Sequence, residues 1–66
     1  MMTEEQLDEF RLNATPIRVI RDSEAINDVK GIVVAWDEEQ VAIRKQNRKI
    51  VKLSRCYRYQ PFEQER

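Results

Sequence analysis

The candidate functional residues of this sequence are a cluster of cations in its second half. From Val41 to Arg58 the sequence carries seven basic residues and no acid. Cationic side chains neutralise phosphates, and aromatic rings beside them can stack on unpaired nucleobases. The candidate nucleic-acid contacts are therefore these seven residues with two interleaved tyrosines: Arg44, Lys45, Arg48, Lys49, Lys52, Arg55, Arg58, Tyr57 and Tyr59.

The charge of the chain is polarised along its length. Residues 1–40 have a net charge of −6 and residues 59–66 add −1, so the whole chain is neutral. Such asymmetry favours a charged partner, either RNA or single-stranded DNA or an acidic protein. A structural alternative remains open, in which the cations form the solvated face of a half-buried hairpin. Acids near the N-terminus would then pair with them: Glu4, Glu5, Asp8 and Glu9.

Enzymatic chemistry is not expected. The chain has no histidine, so it lacks a histidine general base and any Ser-His or Cys-His pair. Its single thiol, Cys56, is predicted to be a small buried hydrophobe. A single glycine excludes phosphate loops and dinucleotide fingerprints, and the acidic stretch 22–28 lacks the spacing of an EF-hand. We expect no catalytic residue, no cofactor and no metal site.

A second function class is a protein–protein adaptor. Trp36 ends a strongly apolar segment, and tryptophan is enriched at binding hot spots. Leu7 and Phe10 lie at helical spacing near the N-terminus and could present an apolar face. Core packing is the alternative for Trp36.

Length and composition set the expected class of protein. With 66 residues the chain forms one domain, residues 1–66, whose core is small enough that a homo-oligomer or docking on a larger protein would add burial. One cysteine excludes an intrachain disulfide, and no apolar run reaches the roughly 20 residues of a membrane span. Without a signal-peptide pattern, a cytoplasmic location and no membrane contact are expected.

Local signals predict a helix over residues 3–14, followed by short strands. Thr3 and Gln6 have the spacing of a capping box, and Pro16 disfavours helix just before it. Val29 to Trp36 is the strongest strand and should be central, because both of its faces are apolar. Gly31 near its start indicates a bend, a bulge or a close backbone approach.

Further strands are predicted at residues 17–21, 41–45, 50–53 and 57–59, with a turn at 54–55 that sends Cys56 into the core. Val41, Ile43, Val51 and Leu53 should point inward, and Asn47 suits a left-handed turn position. The tail, residues 61–66, is expected to fray. The prediction is mainly β, with about five strands over residues 15–60 closing into a small barrel behind a short N-terminal helix.

Three segments carry a wider resemblance. In Gly31–Asp37 a glycine in the second strand leads through apolar positions to a turn aspartate. A third strand follows at Val41–Ile43, and in Ile50–Cys56 a fourth strand passes through a short turn toward the fifth. With the N-terminal helix, this order resembles Sm-like and SH3-like small barrels. The Sm-like resemblance implies ring-forming oligomers that bind single-stranded RNA at the pore or rim.

Residues 31–59 also resemble, more weakly, the YolD-like family of small bacterial proteins associated with error-prone DNA polymerases. This resemblance implies an adaptor that docks on a larger bacterial protein such as a DNA-repair polymerase. The expected docking residues are those of the adaptor hypothesis, Trp36, Leu7 and Phe10.

Overall fold

A computed structural model, which describes residues 2–66, contains one α-helix followed by five β-strands. The sequence-based prediction of a mainly β fold with a short N-terminal helix is confirmed. The elements are α1 (Glu4–Leu12), β1 (Ile17–Ile20), a 3-10 turn (Ala25–Asn27), β2 (Val29–Trp36), β3 (Gln40–Lys45), β4 (Ile50–Ser54) and β5 (Arg58–Pro61).

Helix α1 begins at the predicted capping box. The Thr3 hydroxyl accepts a hydrogen bond from the Gln6 amide at 3.2 Å, and the Gln6 side-chain oxygen accepts one from the Thr3 amide at 3.2 Å. These reciprocal bonds satisfy amides that a helix start leaves without partners. The acids Glu4 and Glu5 occupy the first turn, where they complement the helix dipole.

The helix ends at Leu12 in a Schellman motif, so it is slightly shorter than the predicted 3–14. Ala14 has a φ of 48°, in the left-handed region. The Thr15 amide donates to the Phe10 carbonyl at 3.1 Å, and the Ala14 amide donates to the Arg11 carbonyl at 3.2 Å. An alanine in this position carries the steric cost that glycine avoids.

The strands form one antiparallel sheet in the order β4-β3-β2-β1-β5, with β2 in the centre as predicted. A side chain joins the two outer strands. The hydroxyl of Tyr59 in β5 donates to the Ser54 carbonyl at the end of β4 at 2.7 Å. Burial raises the pKa of Tyr59 to about 12, so the hydroxyl keeps its proton and acts as the donor.

Gly31 lies in β2 where the backbone of β3 approaches closely. A Cβ atom added there would overlap the Arg44 backbone oxygen and would lie 2.6 Å from Cγ2 of Ile43. The predicted close backbone approach at Gly31 is therefore confirmed. The pairing register shifts between Val33 and Ala35, which bends the strand further.

The core consists of inward-facing strand residues covered by Leu7 of α1. The predicted inward positions Val41 and Ile43 are fully buried, while Val51 and Leu53 are partly buried against them. In β2 the register shift leaves Val33 buried and Ala35 exposed, although the sequence placed both on one face. The buried apolar set is Leu7, Ile17, Val19, Val33, Val41, Ile43 and Tyr59.

The β3–β4 turn has a different left-handed residue from the one predicted. Arg48 has a φ of 69°, whereas Asn47 uses its side-chain oxygen to accept a hydrogen bond from the Lys49 amide at 3.0 Å. The Arg48 amide donates to the Lys45 carbonyl at 2.9 Å. Asn47 thus stabilises the turn through its side chain.

The expected burial of Cys56 is wrong, and its neighbour Arg55 takes the buried position. Cys56 is exposed, while Arg55 is 7% exposed. The Arg55 guanidinium donates to the carbonyls of Asp37 and Met2, both at 2.9 Å. The turn after Ser54 reverses which side chain faces inward. Two backbone carbonyls accept hydrogen bonds from the terminal nitrogens of the buried guanidinium, while its Nε has no partner among residues 2–66.

Residues 61–66, which the sequence predicts to fray, are hydrogen-bonded to the rest of the molecule. The Phe62 amide donates to the Pro16 carbonyl at 2.8 Å. The Arg66 guanidinium donates to Asp28 at 2.8 and 3.1 Å and to the Asp22 carbonyl at 2.7 Å. The segment after β5 therefore lies against β1 and the loop before β2.

Candidate nucleic-acid interface

Alternation in the β3–β4 hairpin turns some of its basic side chains outward. Val41 and Ile43 point into the core, so Arg44 between Ile43 and the turn points outward. Lys52 pairs with Ala42 across the hairpin and is also exposed. The sequence prediction that this face is free of the core is confirmed for these positions.

A cleft of about 1050 Å³ lies between the β3–β4 turn and the segment after β5. Its lining includes four cations and, within residues 2–66, no acid. The backbone of β2 and β3 contributes to it, because Gly31 pairs with Lys45 and Ile32 pairs with Arg44. The cationic lining residues are Lys30, Arg44, Lys45 and Arg48, and the others are Pro16, Gly31, Ile32, Gln46 and Phe62.

The convergence of these cations is an electrostatic feature. Several positive charges around a low-dielectric concavity concentrate the potential there and favour anions. Each cation that neutralises a phosphate adds a salt-dependent increment of affinity. The cleft therefore has the charge to hold a short run of phosphates, and Ile32 and Pro16 supply apolar surface beside it.

Lys30 was absent from the sequence-based candidates because it lies outside the segment 41–58. The β2–β3 pairing brings it beside the cations of that segment. One signal in the sequence could have found it. Lys30 and Ile32 lie two residues apart in a strand, so they share a face, and the β2–β3 hairpin must place that face next to Arg44.

Phe62 was also absent from the candidates. Its ring centroid lies 5.1 Å from the Lys30 ammonium and 5.1 Å from the Arg18 guanidinium carbon. The side chain is 40% exposed and lines the cleft. Its position depends on the contact between the segment after β5 and Pro16. Local sequence patterns do not predict this long-range contact.

Two of the predicted contact residues are buried and hydrogen-bonded within the molecule. Arg55 binds two backbone carbonyls, and Tyr59 lies in the core with its hydroxyl on Ser54. Neither side chain lines the cleft. Tyr57 is half-buried against the core. The remaining candidates, Lys49, Lys52 and Arg58, are exposed but lie outside the cleft lining.

The acids of α1 do not pair with the hairpin. In the part of the chain that the structure describes, the ion pairs join Asp8 to Arg11 at 2.8 Å and join Asp28 to Arg18 and Arg66 at 3.9 and 2.8 Å. None of the seven cations from Arg44 to Arg58 takes part in them. The proposed intramolecular neutralisation by Glu4, Glu5, Asp8 and Glu9 is therefore absent from this conformation.

The residues predicted for adaptor docking pack against the core. Leu7 is fully buried, and Phe10 and Trp36 are partly buried against the same cluster. The Arg11 guanidinium carbon lies 6.0 Å from the centroid of the Trp36 ring and covers part of it. For Trp36 the core-packing alternative thus describes the observed contacts.

Comparisons with known proteins identify no relative of this chain. No family model, curated protein or solved structure matches the chain. None of the helices in residues 2–66 has the length and apolar composition that crossing a membrane requires. Within the same residues, no cluster of cysteine and acidic side chains is suited to hold a metal ion.

Proposed function

We propose that this protein binds single-stranded nucleic acid, RNA or single-stranded DNA, in the cleft between the β3–β4 turn and the segment after β5. The observation that carries the proposal is the convergence of Lys30, Arg44, Lys45 and Arg48 on one acid-free concavity. The proposed contact set of four cations is smaller than the set of nine residues predicted from the sequence.

The fold supports the same proposal at the family level. A five-stranded sheet in the order β4-β3-β2-β1-β5, a glycine in its central strand and an N-terminal helix are compatible with an Sm-like or SH3-like small barrel. On this proposal the protein acts by binding rather than catalysis, in the cytoplasm, and a homo-oligomer would align several clefts. The adaptor alternative has less support, because Leu7 is fully buried and Phe10 is partly buried against the core.

The test is the salt dependence of binding to a labelled single-stranded oligonucleotide of about 12 nucleotides, measured by fluorescence anisotropy. If three or four cations neutralise phosphates, the logarithm of the association constant should fall with the logarithm of salt with a slope of about −2 to −3. Arg44→Gln and Arg48→Gln should each weaken binding and reduce the magnitude of that slope by about 0.7.

The matched control is Arg58→Gln. It removes one exposed positive charge of the same predicted set, but from a residue that does not line the cleft. For Arg58→Gln, the slope of the salt dependence of binding should equal that of the wild type. Equal effects of all three substitutions would show that binding depends on diffuse positive charge rather than on the cleft, and absence of binding at low salt would end the proposal.

A further inference from the structure

We propose that Phe62 is the stacking platform of the cleft, so that the ligand is a strand with an accessible, unpaired nucleobase rather than a duplex. This inference rests on the proposed nucleic-acid function and identifies the residue that would select single strands. Phe62 is the one aromatic side chain among the residues that line the cleft.

The position of the ring is fixed by contacts on both its backbone and its face. The Phe62 amide donates to the Pro16 carbonyl at 2.8 Å, and Nη2 of Arg18 donates to the Phe62 carbonyl at 3.4 Å. Lys30 lies within the cleft at 5.1 Å from the ring centroid, and Arg18 lies at the same distance without lining the cleft. Cations at this range are attracted to the face of an aromatic ring.

Arg18 is itself held in place. The Asp28 side chain, which is 3% exposed, lies 3.9 Å from Arg18 Nε and binds Arg66 at 2.8 Å. The hydrogen bond from Arg66 is the main cause that lowers the pKa of Asp28 below the ordinary 3.8, so the carboxylate is charged at neutral pH. Hydrogen bonds at Phe62 itself and at Arg66 thus hold the chain segment that carries the ring.

Part of the Phe62 side chain is exposed at the cleft. Phe62 is 40% exposed, whereas Tyr59 is 7% exposed and its hydroxyl donates a hydrogen bond to the Ser54 carbonyl. An exposed phenyl group in a cleft that four cations line suits a ligand that offers phosphates and flat rings together. Stacking on an aromatic side chain tolerates any nucleobase, because every base has a π-face.

Paired bases cannot reach this ring from the side. In a duplex the faces of the bases are covered by their neighbours, so stacking is available to unpaired or terminal bases. The cations alone would bind a duplex as well as a single strand, since both present phosphates. Phe62 is therefore the element of the cleft that discriminates between them.

The experiment compares three ligands of equal length and label: an oligodeoxyadenylate single strand, an abasic single strand with the same phosphates, and a duplex. The readout is the ratio of the affinities for the first two ligands. Phe62→Leu keeps apolar bulk and removes the π-face, so this ratio should fall about tenfold, which corresponds to the lower part of the range for one stacked base. Phe62→Trp should keep or raise the ratio.

The ratio separates stacking from other effects. A folding defect in Phe62→Leu would weaken binding to both single strands and leave their ratio unchanged. Tyr57→Leu, which removes an aromatic ring outside the cleft, is the matched control and should not change the ratio. Wild-type protein should bind the duplex more weakly than the oligodeoxyadenylate.

Two results would overturn the inference. If Phe62→Leu keeps the wild-type ratio while Arg44→Gln weakens binding to both single strands, the stacking role is wrong and the nucleic-acid function stands. If wild-type protein binds none of the three ligands at low salt, the proposed function and this inference fail together.

Discussion

At the scale of single residues, alternation in the strands decided which cations are free. The sequence placed Val41 and Ile43 inward and thereby placed Arg44 outward, and the structure agrees. Alternation failed after Ser54, where a turn interrupts the strand. There the Cys56 amide donates to the Ser54 hydroxyl at 3.1 Å, and Arg55 rather than Cys56 faces inward. A turn can change which side chain faces the core, and a single sequence does not fix that choice.

Two residues of the candidate site lie outside the basic segment that charge counting found. Lys30 joins the cations through the pairing of β2 with β3, and Phe62 joins them through the return of the chain onto Pro16. Both are contacts between distant segments. Charge counting along the sequence found the hairpin, but it could not find the opposite wall of the cleft.

The strained residue at the end of α1 gives a direct test of the local structure. Ala14→Gly should stabilise the protein by about 1 kcal/mol, because glycine adopts a φ of 48° without the steric cost that alanine has there. For a domain of this size, the melting temperature should rise by about 4–8 °C. Thermal unfolding followed by circular dichroism measures the change.

The neighbouring Asn13→Gly is the control for this substitution. Asn13 has a φ of −89°, which any residue adopts, so glycine there brings no relief and adds flexibility to the unfolded chain. We expect Asn13→Gly to leave the melting temperature unchanged or lower. A similar rise for both variants would contradict the Schellman assignment.

At the scale of elements, the strongest strand was the most predictable. The bounds of β2, Val29–Trp36, and its central place follow from a run of β-branched residues with apolar side chains on both faces. Weaker elements were placed less accurately. The last strand begins at Arg58 and includes Pro61, because an edge strand tolerates proline and pairs there with Ile17.

The β2–β3 turn depends on a charged carboxylate, which makes its stability sensitive to acid. Asp37 Oδ1 accepts hydrogen bonds from the amides of Gln40 at 2.7 Å and Glu39 at 2.8 Å. These bonds are the largest causes that hold the pKa of Asp37 below the ordinary 3.8. The folded state therefore binds this proton more weakly than the unfolded state does.

The sign of the pH effect follows from that lowered pKa. The contribution of Asp37 is fully present above the unfolded pKa and is lost as the pH falls through the folded one. The urea concentration at the midpoint of unfolding should decrease as the pH is lowered below about 4. This decrease should be smaller for Asp37→Asn. Asp37→Asn should also be less stable than the wild type at neutral pH.

Glu38→Gln is the control for this measurement, because it removes a charge from the same turn without removing the Asp37 hydrogen bonds. Its urea midpoint should keep the wild-type decline at low pH. If Asp37→Asn and Glu38→Gln have the same pH profile, general charge rather than the turn carboxylate sets the acid sensitivity.

At the scale of the whole molecule, the charge asymmetry of the sequence becomes a separation in space. The acids that form ion pairs do so with Arg11, Arg18 and Arg66. The hairpin cations that line the cleft take part in none of these pairs. The sequence alone could not decide between a free and a neutralised hairpin, because the answer depends on where α1 packs. Leu7 fixes α1 against the core, and within residues 2–66 none of the acids of α1 forms an ion pair with a cleft cation.

The most direct test of the central claim is the position of a bound strand on the protein. Uniformly ¹⁵N-labelled protein titrated with a single-stranded oligonucleotide should show its largest amide shifts at residues 30–32, 44–48 and 62. These ranges include every lining residue except Pro16, which has no amide proton. The amides of α1 and of Arg58 should move least. Shifts centred on α1 or on Arg58, or no shifts at low salt, would contradict the cleft as the binding site.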